Sequence, residues 1–236
     1  MALPGGIQFY SYRDTRFKQG CLSFQLVRPM SAEEAAKNAL IPAVLLRGCQ
    51  SYRDLRAITL RLDDLYGASV SALVRRIGDY QTTGLYCSFM DDRFALPGDR
   101  VMEPMLSFLE EILLDYPVEN GGFRRSFVES EKKNLISTIE SELNDKRAYA
   151  MAQLFRAMCR EDSYGVPRLG EKEQVAAITP RTLYGHQGMA YGACHGLFFD
   201  VEKQKGLVFL SSGVSEARRG VLSDVNADLI RLYLGE

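Results

Sequence analysis

The sequence predicts an α+β fold: an antiparallel sheet with helices packed on one face, followed by a C-terminal β-hairpin and helix. Three observations carry this. The N-terminal stretch alternates apolar and polar residues, as a strand with one buried face must. Helical repeats then come in runs, not in strict alternation with strands, which argues against a parallel βαβ sheet. Two further alternating stretches sit back to back across a short polar turn, the pattern of a hairpin.

Residues 7–14 and 17–28 alternate and read as a hairpin. In "CLSFQLV", Cys21, Ser23, Gln25 and Val27 fall on one side, and Leu22, Phe24 and Leu26 on the buried side. Ser31 with Glu34 three residues later forms a capping box that starts a helix. Pro42 lies inside that apolar stretch, where it kinks or ends the helix, and Gly48 is the stop. In "DLRAITLRLDDLYGA", Leu55, Ile58, Leu62 and Leu65 share one stripe and Gly67 caps the end. Residues 69–77 and 83–90 read as strands joined through "GDYQ". Residues 100–115 form a helix with Val101, Met105, Phe108, Leu109, Ile112 and Leu113 inward. Leu135, Ile139 and Leu143 mark a long helical region that Asn144-Asp145 divides in two. "EKEQVAAI" is a short helix, and Thr179 caps another with Pro180 in its first turn. Beyond residue 185, strands at about 195–200 and 206–211 precede a closing helix capped by Ser223.

Composition narrows the function classes. A net charge of −1 gives no field for nucleic acid or an anionic membrane. No apolar run reaches the ~20 residues that span a bilayer. The N-terminus has no basic start with an apolar core, so a cytoplasmic protein without a signal peptide is expected. Five cysteines without C-x-x-C spacing read as isolated thiols. Histidine occurs only twice, at His186 and His195, so any chemistry in residues 1–185 must do without imidazole.

The segments "RFKQGCLSFQLVRP", "KNALIPAVLLRG", "LRAITLRLDDLYGASVSA", "VESEKKNLISTIESELNDKRAYA" and "YGVPRLGEKEQVAAITPRTLY" follow one another in a recognisable order. Residues 1–184 resemble the N-terminal module of the insulinase/pitrilysin-like, processing-peptidase-like metallopeptidases, most of all their YfmF-like inactive branch. Active members carry H-x-x-E-H on the helix after the first hairpin, with two zinc ligands on one helix face and a general base between them. The resemblance sets that pentad on "ALIPA": Ala39 and Ala43 stand at the ligand positions and Pro42 at the base position. The third ligand, a glutamate on a later helix, falls near Ser137 or Thr138, and Glu131 matches another family glutamate. The resemblance thus implies a pseudo-peptidase with no catalytic residue, metal or other cofactor. It implies a binding subunit that pairs with an active H-x-x-E-H paralogue or holds an extended peptide at a sheet edge, with a link to elongation factor P modification.

Residues 185–236 look instead like the C-terminal end of a serine β-lactamase-like hydrolase, with His186-Gln187-Gly188 at the K/H-x-G strand. The alternative function is therefore a hydrolase using Ser130 and Lys133 of the S-x-x-K match with the His186 strand. Against it, no Y-x-N is present and S-x-x-K is a short pattern expected by chance. His186, Cys194 and His195 could suggest a metal site, but adjacent strand residues face opposite sides. The junction near residue 184 leaves a gene fusion, a truncated product without function, or an artefact of assembly as readings.

Overall fold

The structure, a computed structural model of the 236-residue chain, describes residues 10–12, 14–186, 194–200, 205–211, 218–219 and 222–223, with side chains through residue 183. A three-stranded antiparallel sheet of β1 (Gln19–Pro29), β2 (Ser69–Ile77) and β3 (Tyr80–Met90) runs in the order β1-β3-β2. β1 alternates between exposed and half-buried along its whole length, with Leu22, Phe24 and Leu26 on the inner side as the pattern requires. β2 and β3 join through a two-residue turn in which Gly78 has φ +57°, a conformation that glycine adopts without penalty.

Among the described residues no N-terminal hairpin forms. β1 pairs with β3 from Gln19↔Met90 to Pro29↔Tyr80. Of its expected partner, Tyr10, Ser11, Tyr12 and Asp14 lie outside any strand, and residues 7–9 and 13 lie outside the described residues. The Asp14 carboxylate accepts from the Arg16 amide at 2.9 Å and turns the chain before a ladder can start.

Helix α1 (Ala35–Leu45) starts one turn later than the capping box predicts. The Ser31 hydroxyl accepts from the Glu33 amide at 3.3 Å, and the Glu34 carboxylate turns to Arg28 at 3.7 Å rather than back to residue 31. Pro42 does not end α1, which continues to Leu45 and is closed by the Leu46 amide on the Pro42 carbonyl at 3.2 Å. Proline costs one backbone hydrogen bond here, whereas Ala35, Leu40 and Val44 are all but inaccessible, so burial outweighs the loss.

Helix α2 (Leu55–Asp64) is capped by the Asp54 carboxylate, which accepts from the Ala57 amide at 2.8 Å. Its buried stripe begins at Ile58; Leu55, at the helix start, is exposed. Helix α3 (Met102–Leu114) buries Met105, Phe108, Leu109 and Ile112 as expected. The two-residue strands β4 (Val118–Glu119) and β5 (Gly122–Phe123) lead into α4 (Arg125–Ser141). A 3₁₀ turn then separates α4 from α5 (Lys146–Met158), whose first amides are capped by Asp145. The tighter turn takes Leu143 off the α4 stripe, and it is exposed. Helices α6 (Lys172–Ala177) and α7 (Pro180–His186) follow, with a capping box at Glu171 and Gln174 and a Thr179–Thr182 cap.

One core unites these elements through Phe108, Leu40, Leu85, Met105, Ile112 and Leu183. Strands β6 (Cys194–Asp200) and β7 (Lys205–Ser211) form the expected antiparallel pair. Ser223 pairs with Arg218 in the short ladder of β8 (Arg218–Arg219) and β9 (Leu222–Ser223). The closing helix expected after it lies outside the described residues. No helix among the described residues is long and apolar enough to cross a membrane.

Candidate functional site

The segment that the resemblance sets at the zinc-helix position lies on α1, which packs against α4 and the central strand. Ala39, Ala43 and Arg47 follow one another at helical spacing of four, so they lie along one face at the end of α1. Ala39 and Pro42 are buried and Ala43 is half-buried. A methyl group offers no lone pair, and a proline ring can neither accept nor deliver a proton, so "ALIPA" cannot ligate zinc or activate water. Opposite, Ser137 and Thr138 are exposed on α4, and the Thr138 hydroxyl donates to the Asn134 carbonyl at 2.9 Å within its own helix.

A salt bridge occupies this seam. Arg47 Nε donates to Glu131 Oε1, and Arg47 Nη2 donates to Ser130 Oγ at 2.7 Å. Asn134 Nδ2 supplies a further donor to Glu131 at 3.2 Å. The two charged side chains retain 22% and 12% of their exposure, so the pair is largely withdrawn from water. The guanidinium fork spans two consecutive α4 residues and ties the end of α1 to α4. Sequence reasoning missed Arg47. No local pattern pointed to it, since its partner lies 84 positions along the chain.

The far side of α1 is held as firmly. Gln81 of β3 is buried; its Nε2 donates to the Ala35 carbonyl at 3.0 Å and the Arg168 carbonyl at 2.7 Å, while its Oε1 accepts from Asn38 at 2.8 Å. A Cβ on Gly170 would strike the Ala36 backbone, so only glycine lets that segment lie against the helix.

The alternative site residues are not brought together. Ser130 Oγ is engaged by Arg47, whereas Lys133 is exposed, and no hydrogen bond joins the two. The buried lysine is its neighbour: Lys132 Nζ donates to the Ile178 carbonyl at 2.7 Å and lies 3.5 Å from Glu129. His186 ends α7, and its side chain, like those of Cys194 and His195, lies outside the described residues. Among the described residues no group of three His, Cys, Asp or Glu could hold a metal ion. Burial pushes the Cys87 thiol up to about 12 and also raises Cys49, so neither is a thiolate near neutral pH.

The sheet offers a different chemistry. Along the outer side of β2, Arg76 donates to the Ser163, Tyr164 and Val166 carbonyls, and Arg168 reaches the Val74 carbonyl at 3.5 Å. That edge is therefore partly covered. β1, at the opposite edge, pairs only with β3 among the described residues.

No protein-family profile matches the chain. It is 29% identical over 180 residues to a probable inactive metalloprotease, YmfF, of Bacillus subtilis (strain 168), an alignment covering 76% of this chain and 42% of that protein. A conserved protein from Enterococcus faecalis V583 superposes with a TM-score of 0.70 at 22% identity, over 85% of this chain and 45% of that one. An inactive M16 peptidase domain from Pseudomonas fluorescens superposes with a TM-score of 0.52 at 14% identity, over 83% and 42%. The chain thus spans less than half the length of these relatives. In sequence and in fold it resembles the inactive branch of the insulinase-like M16 peptidases, a pseudo-peptidase module without the H-x-x-E-H pentad.

Proposed function

We propose that the chain is a non-catalytic binding subunit of a peptidase-like assembly, taking an extended peptide, an active H-x-x-E-H paralogue, or both. The observation that carries this is the seam between α1 and α4. There Ala39, Pro42 and Ala43 remove the metal chemistry while Arg47 and Glu131 hold the helix in its place, with Gln81 holding it from the far side. Peptide recognition in such a module needs only an open strand edge, where main-chain hydrogen bonds add a strand without metal or nucleophile. The outer edge of β1, 11 residues long and unpaired among the described residues, supports this reading. The resemblance adds a cytoplasmic setting and a role linked to elongation factor P modification.

The test measures three things on the purified chain: bound zinc by elemental analysis, cleavage of unstructured peptides, and peptide binding. Binding without stoichiometric zinc and without cleavage is expected. Replacing Gln25, in the middle of β1, by proline should abolish binding, because proline disrupts the edge that a peptide strand would join. Chelator-sensitive cleavage would overturn the reading. Failure to bind peptides, together with failure to co-purify with an H-x-x-E-H paralogue, would do so as well.

A further inference from the structure

Helix α5 is the one α-helix of four turns or nearly so in which no residue is buried among those described. A helix of 13 residues is marginal in water unless a face of it is covered. Yet α5 carries an apolar stripe: Met151, Leu154 and Met158, at i, i+3 and i+7, are 51%, 49% and 72% exposed. Phe155 borders the stripe and leans edge-on against Tyr164, with ring centroids 5.3 Å apart, which fixes the orientation of the helix. Together the open side chains expose on the order of 400 Å², the size at which a patch on a monomer is often functional.

Charge selects the occupant. At the N-terminal end of α5, Lys146 and Arg147 are exposed and lack ion-pair partners among the described residues. Just beyond its C-terminal end Glu161 is likewise exposed and unpaired, and Asp162 is exposed beside it. Arg156 is already engaged with Glu171, and Asp145 caps the helix. Turned end for end, α5 is therefore complementary to itself. Its basic start meets its acidic end, and Leu154, at the midpoint of the stripe, meets its own copy. An isologous twofold contact demands this kind of self-complementarity.

We infer that α5 is the interface of a homodimer: two copies pair their α5 helices antiparallel through Met151, Leu154 and Met158, with Arg147 of each copy against Glu161 of the other. This stands apart from the peptide-binding role and uses none of its residues.

Sedimentation velocity of the full chain over a wide concentration range tests it. The mass should rise from 26.5 kDa towards twice that value as concentration increases. Met158→Glu and Leu154→Gln should each leave a monomer with unchanged far-UV circular dichroism; the milder variant guards against a folding defect in the other. Arg147→Glu and Glu161→Arg should each weaken dimerisation about fivefold, and the two together should restore it. A wild-type monomer at every concentration, a dimer that survives Met158→Glu, or a charge exchange that fails to restore association would each overturn the inference.

Discussion

Replacing Arg47 by methionine keeps most of the stem and removes the guanidinium, so it isolates the charge that ties α1 to α4. The Glu131 side chain is 12% exposed, and after the replacement Asn134 alone would face it. Loss of one partner from a fully buried pair costs about 3–5 kcal/mol, whereas an exposed pair contributes about 0–1 kcal/mol. This pair is closer to the buried limit, which places the cost of Arg47→Met at about 2–3 kcal/mol. For a cooperative unit of this size that is a fall in Tm of roughly 5–10 °C. Glu131→Gln should cost about 1–2 kcal/mol, since its neutral amide oxygen can still accept from Arg47 and Asn134. The double variant should cost clearly less than the sum, because no unpaired charge is left in the seam. Thermal and urea unfolding of the four proteins measure the cycle. A loss below about 0.5 kcal/mol for Arg47→Met, or strict additivity, would show that the pair does not act as the tether.

Four further outcomes are expected. Gln81→Leu should cost about 3 kcal/mol in urea unfolding, because it removes three hydrogen bonds made by a buried side chain. Phe108→Ala, at a fully buried position against Tyr52, should cost about 3–5 kcal/mol by the same measurement. Burial, and then the neighbouring Glu111, raises the Glu110 carboxyl above its usual range, so its ionised form weighs against folding. Glu110→Gln should therefore raise Tm at neutral pH, and the gain should shrink as acid protonates the wild-type carboxyl. The raised Cys87 thiol contributes stability that is complete below the ordinary thiol pKa and is lost as pH climbs towards about 12. Cys87→Ala should flatten that alkaline loss in a pH series of melts, and a maleimide at neutral pH should label exposed Cys21 well before Cys87 in the native protein.

What the sequence made legible follows its periodicities. The inner face of β1, the β2–β3 hairpin, the buried side of α3 and the break at Asn144-Asp145 all follow from spacing and capping chemistry, which act within a few residues. The errors share a cause as well. The Ser31–Glu34 box is a local possibility that another partner displaced: Arg28 took Glu34, while β1 found its partner in β3. Pro42 argued for a helix end, and the apolar surroundings of α1 overrode it. At the site, the missing pentad could be read from residue identity alone. The Arg47–Glu131 pair could not, since 84 residues separate its members and neither spacing nor composition points from one to the other.

The Gln81 junction sets a condition on how the chain can mature. Its amide group answers to residues 35, 38 and 168 at once, and the buried Lys132 ammonium waits for the carbonyl of residue 178. A nascent chain emerging from its N-terminus can assemble the sheet and the first three helices early. That intermediate still lacks the Arg168 carbonyl for the Gln81 amide and, once α4 is added, the Ile178 carbonyl for the Lys132 ammonium. Cooperative closure must await the stretch from Arg168 to Leu183, which fills both vacancies and seals the core. Translation of this module therefore ends in a single late locking step. A ribosome stalled before that stretch would display a partly formed sheet edge to the quality-control machinery.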